Sequence, residues 1–140
     1  MNGFVAWAMW APVAIYAAAI FYMSSQPAPE AVAGSDFELH VLAYALMGAL
    51  IVRATWFSTR WSESRVFLTG ALGAWLYGMS DELHQAFVPS RSATWSDVAA
   101  DGLGAFLGAG LAMAGYLLVR RVARQRAAGD PRRLPFGRNP

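Results

Sequence analysis

Four apolar segments separated by short polar stretches dominate the pattern of hydrophobic and polar positions along this chain. They run from about Phe4 to Met23, from Leu39 to Phe57, from Val66 to Met79 with an extension to Leu83, and from Val98 to Val119. Three approach the roughly 20 residues that a helix needs to cross about 30 Å of hydrocarbon. None alternates with the period of two that is typical of barrel strands. The pattern predicts an all-α fold, a bundle of four transmembrane helices.

Composition favours a membrane protein. Of the 140 residues, 56% are hydrophobic and 14% are charged, whereas soluble domains carry about a quarter charged residues. The first segment could instead be a signal peptide, because it is N-terminal and rich in alanine. It has no Lys or Arg before its core, however, and is longer than a typical signal core. We therefore expect it to remain as a membrane helix.

The distribution of arginines predicts the orientation. In a four-span topology, the loop between the second and third segments shares one side with the tail after Val119. Three arginines in and beside that loop and seven in the tail make up ten of the eleven basic residues. The positive-inside rule places this side in the cytoplasm, so the topology is N-in, C-in.

These boundaries divide the chain into a membrane domain of residues 1–119 and a basic cytoplasmic tail of residues 120–140. We expect the tail to begin as helix and to be partly disordered from about Gly129. The net charge is +2, but the arginines flank apolar segments and lack a nucleic-acid-binding fold. An anionic lipid surface explains them better, so the expected partner is the lipid bilayer, with no nucleic acid.

Acidic residues gather at the predicted outer side. At 1.5 Å per residue, Asp81 lies about 24 Å along its helix from Arg65, just short of the outer boundary. The same rise places Asp101 and His40 about 28 Å and about 25 Å from the inner ends of their segments. Three helices therefore bring ionisable groups to one shallow level, where carboxylates need a partner or water.

Helical spacing of four residues then aligns polar side chains that can face the bundle interior. We predict a binding pocket formed by Asp36, His40, Tyr44, Asp81, Glu82, Gln85, Arg91, Asp97 and Asp101.

Arg91 is the single basic residue of the predicted outer side. It could form an internal salt bridge with Asp81, Glu82 or Asp97, or its planar guanidinium could clamp an anionic ligand. Both alternatives remain open from the sequence.

The two histidines raise the question of metal or catalytic chemistry. Candidate ligands for a divalent metal are Asp36, His40, Asp81 and His84, and candidate acid–base residues are Asp81, Glu82, His40 and His84. No HExxH or CxxC pattern supports a metal, and no Gly-x-Ser-x-Gly elbow supports a serine nucleophile. Whether the protein is an enzyme is therefore left open.

A stripe of small residues follows one face of the fourth segment. It comprises Ala100, Gly104, Gly108 and Ala112, and it lets a neighbouring helix approach closely. We expect packing within the bundle rather than dimerisation.

Together these motifs resemble the VanZ-like family of small bacterial membrane proteins. The likeness covers about residues 15–112 and rests on FYMSSQPAPE, DFELHVLAYALMGALI and LYGMSDELHQAFVPSRSATWSDVAADGLGAFLG, in that order. The matching positions are Ser24, Ser25, Gln26, Pro27, Asp36, His40, Tyr44, Asp81, Glu82, Gln85, Arg91, Asp97 and Asp101. Phe37 departs from the pattern, because the family commonly has Lys there.

The resemblance implies a multi-pass protein of the bacterial cytoplasmic (inner) membrane and cell envelope. The family is named for a member linked to teicoplanin resistance, a form of antibiotic resistance, and the resemblance implies no reaction. The first functional hypothesis is a protein that binds a lipid headgroup, a cell-wall precursor or another amphiphile. The second is a membrane-embedded hydrolase or transferase for phosphate- or ester-linked lipids, with acid–base or metal chemistry. A third is a structural partner that packs against a larger complex.

Overall fold

A computed structural model describes residues 3–27 and 36–128, with side chains described for 6–27 and 37–128. Four α-helices follow one another: α1 (Gly3–Ser24), α2 (Asp36–Ser58), α3 (Glu63–Gln85) and α4 (Trp95–Ala128). The prediction of an all-α fold is confirmed. Three helices, α1, α2 and α4, are long and apolar enough to cross a membrane. The 23 residues of α3 give it a similar length, but it carries charged residues near both ends.

Local hydrogen bonds explain where the helices begin and end. Thr94 precedes α4 and accepts a hydrogen bond from the backbone N–H of Asp97 at 3.1 Å, while its hydroxyl donates to the Asp97 carboxylate at 2.7 Å. This reciprocal cap satisfies a free N–H of the first turn. At the end of α1, the hydroxyls of Ser24 and Ser25 both donate to the carbonyl of Phe21, and Pro27 follows shortly afterwards. These side chains compete with the backbone ladder and help to end the helix.

The centre of the bundle is the packing of α2 against α4, with α3 lying against both and α1 lying mainly against α2. Gly104 and Gly108 allow the close approach of α2 and α4, because an added Cβ would collide with the backbone carbonyls of Val41 and Ala45 respectively. The small-residue stripe of α4 therefore packs within the bundle, as predicted. This contact aligns the first turns of α2 and α4 and thereby positions the polar residues that they carry.

Three hydrogen bonds from side chains attach α1 to the rest of the bundle. The Tyr16 hydroxyl donates to the carbonyl of Ala43 at 3.2 Å, and the Tyr77 hydroxyl donates to the carbonyl of Ala17 at 2.6 Å. The third bond joins Ser24 to Asp81. Because α1 has an exposed apolar surface and few contacts with α3, these bonds fix its position along the bundle.

The helix α4 continues past Val119 without a break and ends at Ala128. Its 34 residues correspond to about 51 Å at 1.5 Å per residue, which exceeds the ~30 Å thickness of a hydrocarbon core. The division at residue 119 stays a prediction. The disorder predicted from Gly129 falls on residues outside the described part of the chain.

Candidate functional site

Most of the predicted site residues lie at one end of the bundle, where α1 and α3 end and where α2 and α4 begin. We call this the acidic end. A cavity of about 350 Å³ opens there between α1, α2 and α3. Its polar lining comes from Ser24, His40, Tyr44, Asp81, Gln85 and Arg91, and its apolar lining comes from Tyr16, Ala19, Ile20, Met23, Leu39 and Ala43. The cavity is therefore amphipathic.

Asp81 is a buried carboxylate at the wall of this cavity, with 5% of its surface exposed. Its Oδ1 accepts a hydrogen bond from the Ser24 hydroxyl at 2.6 Å, and its Oδ2 accepts one from the Gln85 amide at 3.0 Å. Both donors are neutral. Asp81 therefore satisfies its hydrogen-bonding capacity in part, but within the described residues no cation offsets its charge.

A second group of polar residues joins three helices beside the cavity. His40 of α2 shares a hydrogen bond with Asp101 of α4, with 2.8 Å between Nδ1 and Oδ1. Glu82 of α3 lies 3.9 Å from the same ring nitrogen and also accepts a weak bond from the backbone N–H of Thr94 at 3.3 Å. We call His40, Glu82 and Asp101 the His–acid cluster.

Two buried polar atoms near this cluster have no hydrogen-bond partner among the described residues. They are Oδ2 of Asp101 and the hydroxyl of Tyr44. Asp101 is fully buried and lies against Gly78, where an added Cβ would be 2.6 Å from Oδ2. A buried polar atom without a partner costs about 1–3 kcal/mol. The arrangement therefore has hydrogen-bonding capacity that the protein itself does not use.

Arg91 does not form the internal salt bridge that we considered. Its Nε donates to the carbonyl of Gln26 at 3.0 Å and its Nη2 donates to the carbonyl of Met23 at 3.1 Å. The last carbonyls of a helix have no intrahelical partner and attract cationic donors. Arg91 therefore ties the loop between α3 and α4 to the end of α1, and it closes one side of the cavity.

The remaining candidates lie apart from the His–acid cluster. The Nε2 atom of His84 is 3.0 Å from the Ser25 hydroxyl, and its ring stacks on Phe21 with 4.7 Å between centroids. Asp97 caps α4. Asp36 begins α2, but its side chain is outside the described residues. Of the two histidines, the structure thus groups only His40 with several carboxylates in the described region.

Comparison with known proteins assigns the chain to a family. A family model described as VanZ/LLP1 matches residues 9–119. The chain belongs to the VanZ/LLP1 family. The match extends over most of α1 and all of α2 and α3, and it includes every residue of the cavity and the His–acid cluster. No curated protein and no solved structure matches the chain.

Two positions that the sequence did not single out contribute to this VanZ/LLP1-family site. Gly78 makes room for the Asp101 carboxylate, and Thr94 contacts both Glu82 and Asp97. A signal for Gly78 existed, because it lies four residues before Glu82 on the buried face of α3. Thr94 had a signal too, because Thr followed by an acid three residues later is typical of a helix start.

Proposed function

We propose that this VanZ/LLP1-family protein crosses the bacterial cytoplasmic (inner) membrane four times, N-in and C-in. In this topology the acidic end lies in the outer leaflet, within residues 1–119, and the basic residues 120–140 face the cytoplasm. We further propose that the cavity binds the headgroup of an amphiphile, either a lipid or a lipid-linked cell-wall precursor.

Charge placement supports the proposed topology. At the end opposite the acidic end, the described arginines include Arg53, Arg60, Arg65 and Arg120, and Arg120 pairs with Glu63 at 2.8 Å. Arginines concentrate on cytoplasmic loops of membrane proteins. The moderate apolarity of α3 is compatible with a span, because its polar residues Asp81, Glu82 and Gln85 lie on its buried face rather than on a lipid-facing surface.

The amphipathic lining of the cavity is the observation that carries the binding proposal. Tyr16, Ala19 and Ile20 of α1 line it together with Ala43 of α2, and these side chains suit an acyl or isoprenyl chain. Asp81 lies at the polar part of the lining. Ligand sites generally combine such an apolar wall with a few well-placed polar groups.

The charges at the polar part indicate which headgroups suit the cavity. Asp81 receives hydrogen bonds from neutral donors only, and Arg91 directs two of its nitrogens to backbone carbonyls. A carboxylate in this environment is best complemented by a cation. We therefore expect a headgroup that contains an amine. A lipid or cell-wall precursor held in this way would connect the protein with the cell envelope and with the teicoplanin resistance for which the family is named.

The binding proposal is tested by identifying the amphiphiles that copurify with the protein. The full chain and its Asp81→Asn variant are purified from bacterial membranes in a mild detergent, and bound lipids are extracted and identified by mass spectrometry. Glu38→Gln is the matched control, because Glu38 is an exposed carboxylate on α2 outside the cavity. We expect the wild type and the control to retain an amine-containing amphiphile and Asp81→Asn to lose most of it. Equal retention by all three proteins would rule out a role for Asp81 in binding.

A second candidate function is hydrolysis or group transfer on a phosphate- or ester-linked lipid. The observation that favours it is the hydrogen bond between His40 and Asp101, which occupies Nδ1 and leaves the rest of the ring at the cavity wall. A carboxylate that orients a histidine in this way supports general base catalysis by Nε2. Incubation of the purified protein with bacterial lipid extract, with and without a chelator, tests this function. Product formation that His40→Gln abolishes would support catalysis, and no turnover in any lipid class would exclude it.

A further inference from the structure

We propose that His40, Glu82 and Asp101 bind one first-row divalent cation, Zn²⁺ or Mn²⁺, at the acidic end of the bundle. The site takes one ligand each from α2, α3 and α4, so the ion would join the three helices. The proposal does not depend on the amphiphile, because it concerns the His–acid cluster beside the cavity.

The donor atoms of the cluster are already close enough to share an ion. Nδ1 of His40 lies 2.8 Å from Oδ1 of Asp101 and 3.9 Å from Oε1 of Glu82, and one ligand atom from each residue lies within 4.8 Å of the others. Tetrahedral ligands about 2.1 Å from a zinc ion are separated by about 3.4 Å. The observed distances bracket this value, so small side-chain rotations suffice to form the site.

The charges of the cluster call for a cation. Glu82 and Asp101 are buried, with 3% and 0% of their surfaces exposed. The described basic side chain within 4.0 Å of either carboxylate is that of His40, which carries at most one positive charge. Removing a carboxylate from water without a counter-charge costs several kcal/mol. A divalent ion would balance both carboxylates and leave His40 as a neutral ligand.

The unpartnered atoms provide a second, independent indication. Oδ2 of Asp101 belongs to a fully buried side chain and has no hydrogen-bond partner in the described part of the chain. A carboxylate that binds a metal uses such an oxygen as a ligand or as an acceptor from a metal-bound molecule. Tyr44 adds a second such group, because its ring stacks on that of His40 and its buried hydroxyl is also without a described partner.

The types of ligand indicate which ion the site would select. Imidazole favours the later first-row metals, and carboxylates favour harder ions such as Mn²⁺. One imidazole with two carboxylates fits Zn²⁺ or Mn²⁺ better than Mg²⁺, which prefers oxygen ligands and retains several waters. The three protein ligands would leave a coordination position for an exchangeable ligand, as in catalytic zinc sites.

The proposal is tested by titrating the metal alone into the detergent-purified full chain. The protein is stripped with a chelator and desalted, and ZnCl₂, MnCl₂ and MgCl₂ are added separately in an isothermal titration calorimeter. Elemental analysis after a second desalting step gives the stoichiometry. Gel filtration and circular dichroism verify that each variant is folded.

Two pairs of variants make the test specific. Asp101→Asn is compared with Glu38→Gln, whose carboxylate is exposed and outside the cluster. His40→Gln is compared with His84→Gln, because His84 contacts Ser25 and Phe21 instead of the cluster. If Asp101→Asn does not fold, Glu82→Gln takes its place.

We expect about one Zn²⁺ or Mn²⁺ per chain in the wild type, in Glu38→Gln and in His84→Gln. Loss of a ligand should weaken binding more than 100-fold, because even loss of an outer partner costs about 10–100-fold. Failure of the folded wild type to bind either ion, or equal losses in His40→Gln and His84→Gln, would overturn the proposal. These outcomes leave the lipid-binding proposal to its own test, since no lipid is added.

Discussion

Replacement of Gly108 by alanine tests the helix packing that brings Asp101 against His40. Gly108 lies on the face of α4 that contacts α2. A Cβ added there would be 2.6 Å from Cα of Ala45 and closer to the carbonyl group of that residue. Ordinary contact begins at 3.4 Å, so α2 and α4 would have to separate by 0.8 Å, the difference between 3.4 Å and 2.6 Å.

The expected loss of stability follows from two opposing terms. Overpacking of a close-packed interior typically costs about 1–3 kcal/mol, and the upper value applies because the obstacle is backbone instead of a flexible side chain. Alanine recovers up to about 1 kcal/mol, since its helix propensity exceeds that of glycine. The net expectation is a loss of about 2 kcal/mol in the free energy of unfolding.

This loss can be measured by unfolding in mixed micelles of a mild detergent with increasing dodecyl sulfate, followed by circular dichroism. Gly115→Ala is the matched control, because it makes the same substitution on the same helix and an added Cβ meets no atom within 4 Å. We expect the control to be as stable as the wild type or slightly more stable. Equal stability of Gly108→Ala and Gly115→Ala would refute our account of how α2 and α4 pack.

Three further substitutions test how α1 is attached. Tyr77→Phe removes the hydrogen bond to the carbonyl of Ala17 and should lower the free energy of unfolding by about 1 kcal/mol; no change in the unfolding midpoint would contradict this. Ser24→Ala removes a donor from buried Asp81 and should cost about 1–3 kcal/mol in the same measurement, unless the bond is absent in the membrane protein. Arg91→Lys cannot reproduce the two carbonyl contacts of the guanidinium, so hydrogen exchange measured by mass spectrometry should become faster in residues 21–27 and stay the same in α4.

Hydrophobic pattern predicted the number and the approximate positions of the helices. The predicted segment from Leu39 to Phe57 corresponds to α2, which begins at Asp36 instead. Such differences arise because polar residues can continue a helix beyond the apolar stretch that reveals it. The same reason explains why α4 extends to Ala128, since arginine has a high helix propensity outside the hydrocarbon as well.

The rise of a helix per residue predicted that His40, Asp81 and Asp101 lie at one level, but it did not predict which residues meet. Successive residues of a helix point about 100° apart. Asp81 and Glu82 therefore face different neighbours: Asp81 bonds Ser24, whereas Glu82 lies near His40. The rotation of each helix depends on packing, and the glycines that determine the packing carry no charge pattern.

The interpretation of Arg91 as a salt-bridge partner was wrong for a related reason. The sequence displays formal charges, and a lone arginine among several acids suggests an ion pair. Backbone carbonyls at the end of a helix are equally good acceptors, but their positions appear only when the chain is folded. Arg91 bonds two of them, so the acids at this end have less positive charge near them than the sequence suggests.

The most direct test of the central claim is a lipid titration followed by native mass spectrometry of the delipidated protein. Phosphatidylethanolamine, which carries an amine, and phosphatidylglycerol, which carries none, are added separately to the wild type and to Asp81→Asn. Our account predicts that the wild type binds one phosphatidylethanolamine in preference to phosphatidylglycerol and that Asp81→Asn loses this preference. Equal binding of both lipids by the wild type, or an unchanged preference in Asp81→Asn, would contradict the claim that the cavity recognises an amine-containing headgroup through Asp81.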